Sequence, residues 1–216
     1  MKEKEKQSKD KSLKEQNTAS LVTILIVNIA VFAVALKTDQ LLSADYQEVL
    51  KQWQALIPAG VGAVLIGVIN GLLNTQAKAR LVFWRWHDPL PGGRAFSHYV
   101  HLDPRIDVAA LKSKVGPFPT KPNEQNALWY KLYKSVENDP RVLHVHRLFL
   151  LTRDYAGIAF MLSIIFGGIG VFVMQTYKTE LLYTAALLIQ FVASAVAARN
   201  YGIRFVNTVL ALKAAE

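Results

Sequence analysis

Residues 83–96, Phe-Trp-Arg-Trp-His-Asp-Pro-Leu-Pro-Gly-Gly-Arg-Ala-Phe, gather more chemically versatile side chains than any other stretch of the chain. Trp84 and Trp86 flank Arg85, Arg94 follows two glycines, and His98 lies just beyond. Aromatic rings beside guanidinium groups suit a nucleotide or an RNA base, by stacking on the rings and pairing of the phosphate. The backbone N–H groups of Gly92 and Gly93 could add an anion nest. Trp84, Arg85, Trp86, Arg94 and His98 are therefore the candidate ligand-binding residues. The competing role for the same side chains is anchorage, with tryptophans at a lipid interface and arginines on anionic headgroups.

All five histidines, His87, His98, His101, His144 and His146, fall in the same polar half of the sequence. His98 and His101 could share a helix face and, with Asp103, offer zinc ligands. His144 and His146 are two positions apart, which on a helix turns them by about 200° from each other. The chain has no cysteine and no His-Glu-x-x-His pattern, so neither a metal nor another cofactor is expected. His98 and Asp103 also stand at the His-x4-Asp spacing that resembles glycerolipid acyltransferases, a match that covers six residues. The surrounding segment lacks the size and the alternating strand–helix pattern of such a domain. No Gly-rich phosphate loop or Gly-x-Ser-x-Gly elbow is present either, and the expectation is a protein without enzymatic activity.

The elements that must hold these residues follow from hydropathy. The 216 residues are 52% hydrophobic and 19% charged, against a norm of roughly a quarter charged. The apolar excess is concentrated in four uncharged runs, at 19–36, 55–74, 155–177 and 181–198. A run of 18 residues rises about 27 Å as a helix, just enough for the hydrocarbon core. The expected fold class is all-α: a polytopic membrane protein with about four transmembrane helices and a helical cytoplasmic insertion, 75–154, between the second and third. Ala33-Val34-Ala35 resembles a signal-peptidase site, but the long charged segment ahead of the first run favours an uncleaved span.

Charge supplies the orientation. Residues 1–18 hold six lysines, the 75–154 segment thirteen Lys or Arg, and 199–216 three, whereas Lys37, Lys51 and Lys178 alone serve the opposite side. The positive-inside rule places both termini and the long insertion in the cytoplasm, in an inner (cytoplasmic) membrane. Residues 1–18 read as a disordered basic tail, 37–54 as an external amphipathic helix, and 199–216 as a juxtamembrane helix lying near the inner surface.

Within the insertion, Asp103-Pro104 and Asp139-Pro140 resemble helix starts, aspartate as N-cap and proline at the first helical position. One helix is expected over Pro104–Lys114 and a second over Lys121–Asn138, with Leu128, Trp129, Leu132, Tyr133 and Val136 on one face. A third is expected from Pro140 into the third span. Small residues in the spans, Gly67 and Gly71 in the second and Gly167, Gly168 and Gly170 in the third, are candidate helix-packing positions within one chain or between chains. The polar span residues Asn28, Asn70, Ser163, Gln190 and Ser194 are expected to hydrogen-bond between helices.

Partners implied are the lipid bilayer, a second copy in a homo-oligomer, and a cytoplasmic protein or a nucleotide or RNA ligand. The function expected is that of a non-enzymatic membrane protein whose helical domain senses a ligand or partner and repacks the spans. In bacteria that layout would suit a membrane-perturbing effector in stress or phage (antiviral) defence. A small channel or carrier, and a structural subunit docking a soluble partner through Trp129 and Tyr133, are the rival classes.

Overall fold

The computed structural model describes residues 12–37, 67–174 and 177–216. Every regular element among them is helical and no strand occurs. Among the described residues three helices are long and apolar enough to cross a membrane. The proposed external helix at 37–54 and most of the second apolar run lie outside the described residues. Contacts divide the chain into two compact units, one of residues 1–74 and 154–194 and the other of residues 75–153 and 195–216.

In the first unit, α1 runs from Leu13 to Lys37. It begins six residues ahead of the uncharged run because Ser12 and Glu15 form a capping box: the Ser12 N–H donates to Glu15 Oε2 at 2.7 Å, and the Glu15 N–H to Ser12 Oγ at 3.3 Å. Residues 67–72 are helical. The unit takes its remaining wall from α5, Pro140–Val173, and α6, Tyr177–Ala215. At 34 and 39 residues these helices are about 50 Å or more in length, well beyond a hydrocarbon core of about 30 Å. Only their uncharged parts, from Tyr155 in α5 and from Leu181 to Ala198 in α6, are read as spanning.

Phe32 stacks on Phe166 at 4.6 Å and tilts against Tyr183 at 5.5 Å. Leu21, Leu25, Ile158, Leu162 and Leu187 are buried, while Val27, Val31, Ile164, Phe172, Leu182 and Ile189 are exposed, as lipid-facing positions would be. The polar span residues divide. Asn28, Ser163 and Ser194 bond to carbonyls of their own helix, at Ile24, Ala159 and Phe191. Asn70 reaches Asp154 at 3.2 Å and Gln190 reaches the Tyr155 hydroxyl at 2.8 Å, so these two do bridge helices.

The glycines named as packing positions have little against them. Among the described residues nothing lies within 4 Å of a Cβ placed at Gly67, Gly71 or Gly168, and at Gly170 it would meet Met174 and Glu180. Gly167 faces Thr184 of α6 at an ordinary 3.5 Å.

The second unit contains α2, Thr75–Phe83, two short 3-10 turns at Pro91–Arg94 and Tyr99–His101, α3, Val108–Val115, and α4, Pro122–Val136. The start of α5 and the end of α6 complete it. The two Asp-Pro-Arg segments adopt one local geometry with different sequels. In each, the aspartate accepts the N–H two residues on and pairs bidentately with that arginine's guanidinium, Asp103 with Arg105 and Asp139 with Arg141. Asp139 then opens α5, whereas Asp103 makes only a turn. The following helix starts four residues later than expected, at Val108, because Asp107 is the residue whose carboxylate accepts from the Ala110 N–H.

The end of α6 also departs from expectation. Residues 199–216 are no separate surface helix; they continue α6, and Phe205 through Leu210 are buried on every side. Phe205, Val206, Val209 and Leu210 supply the apolar burial, with Asn207 and Thr208 enclosed among them, and Phe205 packs with Phe149 and with Trp129 of α4. Gly202 makes this possible: a Cβ there would meet Phe83 at 2.8 Å and Phe149 at 2.9 Å.

Candidate functional site

The site in the second unit begins where α2 stops. The Trp84 N–H still donates to the Arg80 carbonyl, at 2.8 Å, but Trp84 has a φ of 52° and Asp88 one of 44°. Side chains other than glycine enter that left-handed region at a cost of about 1–2 kcal/mol. The Arg80 Nε–H, donating to the Trp86 carbonyl, ties the turn together. The outcome is an abrupt reversal that leaves Trp84 and Trp86 exposed, at 55% and 79%, and turns Arg85 partly inward.

Arg85 meets the Tyr99 hydroxyl, and its charge is opposed by those of Arg94 and Arg199. Burial above all, and then these two neighbours, lower its pKa, though an arginine so placed stays protonated. His98 is affected in the same way: burial first, then Arg94, Arg85 and His101, push its pKa below the ordinary imidazole value. Arg199 lies over the Trp84 ring at 5.9 Å. Among the described residues, none of Arg85, Arg94 and Arg199 is in an ion pair.

Arg85 and Arg94 line one cleft, and His98 feels the charge of both. Trp84 holds Arg199 and Trp86 lines a neighbouring cleft. The glycines act otherwise than expected. Neither Gly92 nor Gly93 has a positive φ, and the Gly93 N–H is already given to the Leu90 carbonyl, so no nest forms. Gly92 is instead a point of close approach, where a Cβ would meet Asn126 Oδ1 at 2.5 Å and Trp129 at 2.8 Å. That contact seats the Pro91–Arg94 turn on α4.

Gln125, 1% exposed, fixes the next stretch: its Oε1 accepts from the Phe96 and Ser97 N–H groups, and its Nε2 donates to the Thr120 carbonyl. Neither Gln125 nor Arg199 stood out in the sequence. Arg199 reads there as one more basic residue after a span, and a single glutamine in a helix has no pattern to mark it.

Three clefts border this framework. One of about 310 Å³ is lined by Arg85, Arg94, His87, Asp88, Ser97 and Thr120. A second of about 400 Å³ is walled by Gln76, Arg80, Trp86, Asp88, Asn123 and Asn126. The third, about 320 Å³, is aromatic, with Trp129, Tyr130, Tyr133, His146, Phe149 and Phe205 around it and Lys134 and Arg153 among its lining. His146 stacks on Phe205 at 4.4 Å and meets the Tyr133 hydroxyl at 3.3 Å. Burial, and then the charge of Arg153, push its pKa down to about 4, so it is a neutral ring at ordinary pH.

Trp129, expected on a docking face, is buried and packs edge-to-face with Phe205 at 5.2 Å, so it is taken up inside the chain. Among the described residues no group of three His, Asp or Glu side chains could hold a metal ion. No family model, curated protein or solved structure matches the chain.

Proposed function

We propose that the protein is a membrane-embedded receptor for a phosphate-bearing anion, bound at Arg85, Arg94 and Arg199 in the second unit. The observation behind this reading is that Arg85 and Arg94 line one cleft while Arg199, over the Trp84 ring, adds its charge to Arg85, none of the three being neutralised by an ion pair among the described residues. Like charges held together in a partly buried setting raise the energy of the empty site, and an anion lowers it. Guanidinium groups suit phosphate oxygens because their donors form a planar fork.

In this reading the chain crosses the membrane four times, with both termini and the second unit in the cytoplasm, in keeping with the placement of basic residues. The membrane is then the bacterial inner one. Helices α5 and α6 each contribute to both units, so a change in how the second unit holds them is transmitted along continuous helices. Anion binding repacks the spans and perturbs the bilayer, as a stress- or phage-defence effector would; that last step rests on architecture alone. Association of several copies through small-residue faces such as Gly67 and Gly71 belongs to this reading.

The channel or carrier reading draws less support, since Asn28 and Gln190 already have hydrogen-bond partners within the chain. Protein reconstituted in dye-loaded liposomes should leak on addition of inorganic triphosphate, and the Arg94→Ala variant should not. Leakage that is independent of triphosphate, or unchanged in the variant, would remove the effector reading.

A further inference from the structure

We propose that the ligand is a nucleotide, lying along one groove with its phosphates at Arg85 and Arg94, its sugar beside Asn123 and Asn126, and its base among Tyr130, Tyr133 and His146. This rests on the anion-receptor reading and assigns the rest of the molecule that the anion belongs to.

The three clefts share walls within the second unit. The arginine cleft and the middle cleft have His87, Asp88, Gly93 and Pro122 in common, and the middle cleft and the aromatic one have Leu90 and Asn126 in common. Followed through these shared residues, the linings run from positive charge, through carboxamides and a carboxylate, to aromatic rings. That order is the order of a nucleotide's parts. Phosphate pairs with guanidinium groups, sugar hydroxyls bond to Gln76, Asn123, Asn126 or Asp88, and a base stacks on rings.

Other phosphate-bearing molecules fit less of it. An acyl chain attached to the phosphate would have to cross the carboxamide-lined middle, leaving those groups unsatisfied against hydrocarbon. Inorganic phosphate would leave the aromatic end unused. A cationic ligand in the ring-lined end is disfavoured, because Lys134 already stands 6.0 Å from the Tyr130 and Tyr133 ring centroids and Arg153 lines the same cleft. His146 is stacked and neutral, so it serves as a flat wall. Tyr130, 51% exposed, borders the entrance and can swing onto a bound base.

The test uses the full chain in detergent micelles, with the four ribonucleoside triphosphates and inorganic triphosphate as probes, read by calorimetry. At least one nucleotide should bind tenfold or more tightly than inorganic triphosphate. Tyr130→Ala and Tyr133→Ala should each weaken that nucleotide about tenfold and leave inorganic triphosphate unchanged. Because Tyr133 is half-buried, the exposed Tyr130 variant keeps the test valid if Tyr133→Ala misfolds. Arg94→Ala should weaken both probes. Equal affinity for nucleotides and inorganic triphosphate, or indifference to both tyrosine variants, would overturn the nucleotide assignment and leave the anion receptor standing. No Arg94-dependent binding of either probe would overturn both. A short RNA binding far more tightly than every mononucleotide would also count against this ligand class.

Discussion

Arg85 has Tyr99 as its hydrogen-bonding neighbour and feels the charges of Arg94 and Arg199, while His98 feels those of Arg94, Arg85 and His101. An anion bound there changes the titration of His98. Its imidazole is held below the ordinary value by burial and by the charges of Arg94, Arg85 and His101, the groups that face it. A bound phosphate offsets those charges and raises its pKa, so binding takes up a proton. Affinity for triphosphate should therefore tighten as pH falls from about 7.5 towards 6, and the extra tightening should disappear in His98→Gln. Calorimetry in two buffers of different ionisation heat reads the proton directly. Gln125 belongs to the same scale in a structural role. Truncating it to Ala strips acceptors from the Phe96 and Ser97 N–H groups and a donor from the Thr120 carbonyl. The expected loss is about 2–4 kcal/mol of stability, seen as earlier thermal unfolding and faster proteolysis near Arg94.

The elements owe their placement to close approaches at Gly92 and Gly202. Gly202 lets α6 lie against Phe83 and Phe149, and Gly202→Ala should destabilise by about 1–3 kcal/mol because a Cβ would stand within 3 Å of both rings. Gly168→Ala, with nothing near it among the described residues, should leave thermal stability unchanged or slightly raised. Paired melting curves in detergent distinguish the two. The sequence singled out Gly168 and passed over Gly202, for a physical reason. Glycines in an apolar run attract notice as packing positions, whereas the need for Gly202 depends on two phenylalanines brought in from α2 and α5. Three of the four apolar runs were legible as long helices because bilayer thickness imposes a length on such runs, and the Trp129–Leu132–Tyr133 face because helical spacing repeats. The reach of α6 was harder to read. Arg199 and Arg204 interrupt the apolar pattern and suggest a boundary, yet both side chains leave the helix without breaking it, and Phe205–Leu210 supply a core. At the site, Arg85, Arg94 and His98 were legible through proximity in sequence. Arg199 and the His146–Phe205 stack were not, because they arrive from more than a hundred and about fifty residues away.

At the scale of the whole molecule, α5 and α6 are common to both units, and the proposed function gives the second of these an anion to bind. The anion is the element on which the rest depends. Its most direct test is a titration of the purified full-length chain with inorganic triphosphate at low ionic strength, repeated with Arg94→Ala and Arg199→Ala. Saturable binding is expected, weakened about tenfold to a hundredfold by either substitution, as the loss of a charge-assisted hydrogen bond implies, and falling steeply as salt is raised. Binding that is absent at low salt, or equal in the wild type and both variants, would contradict the claim that these arginines form an anion site.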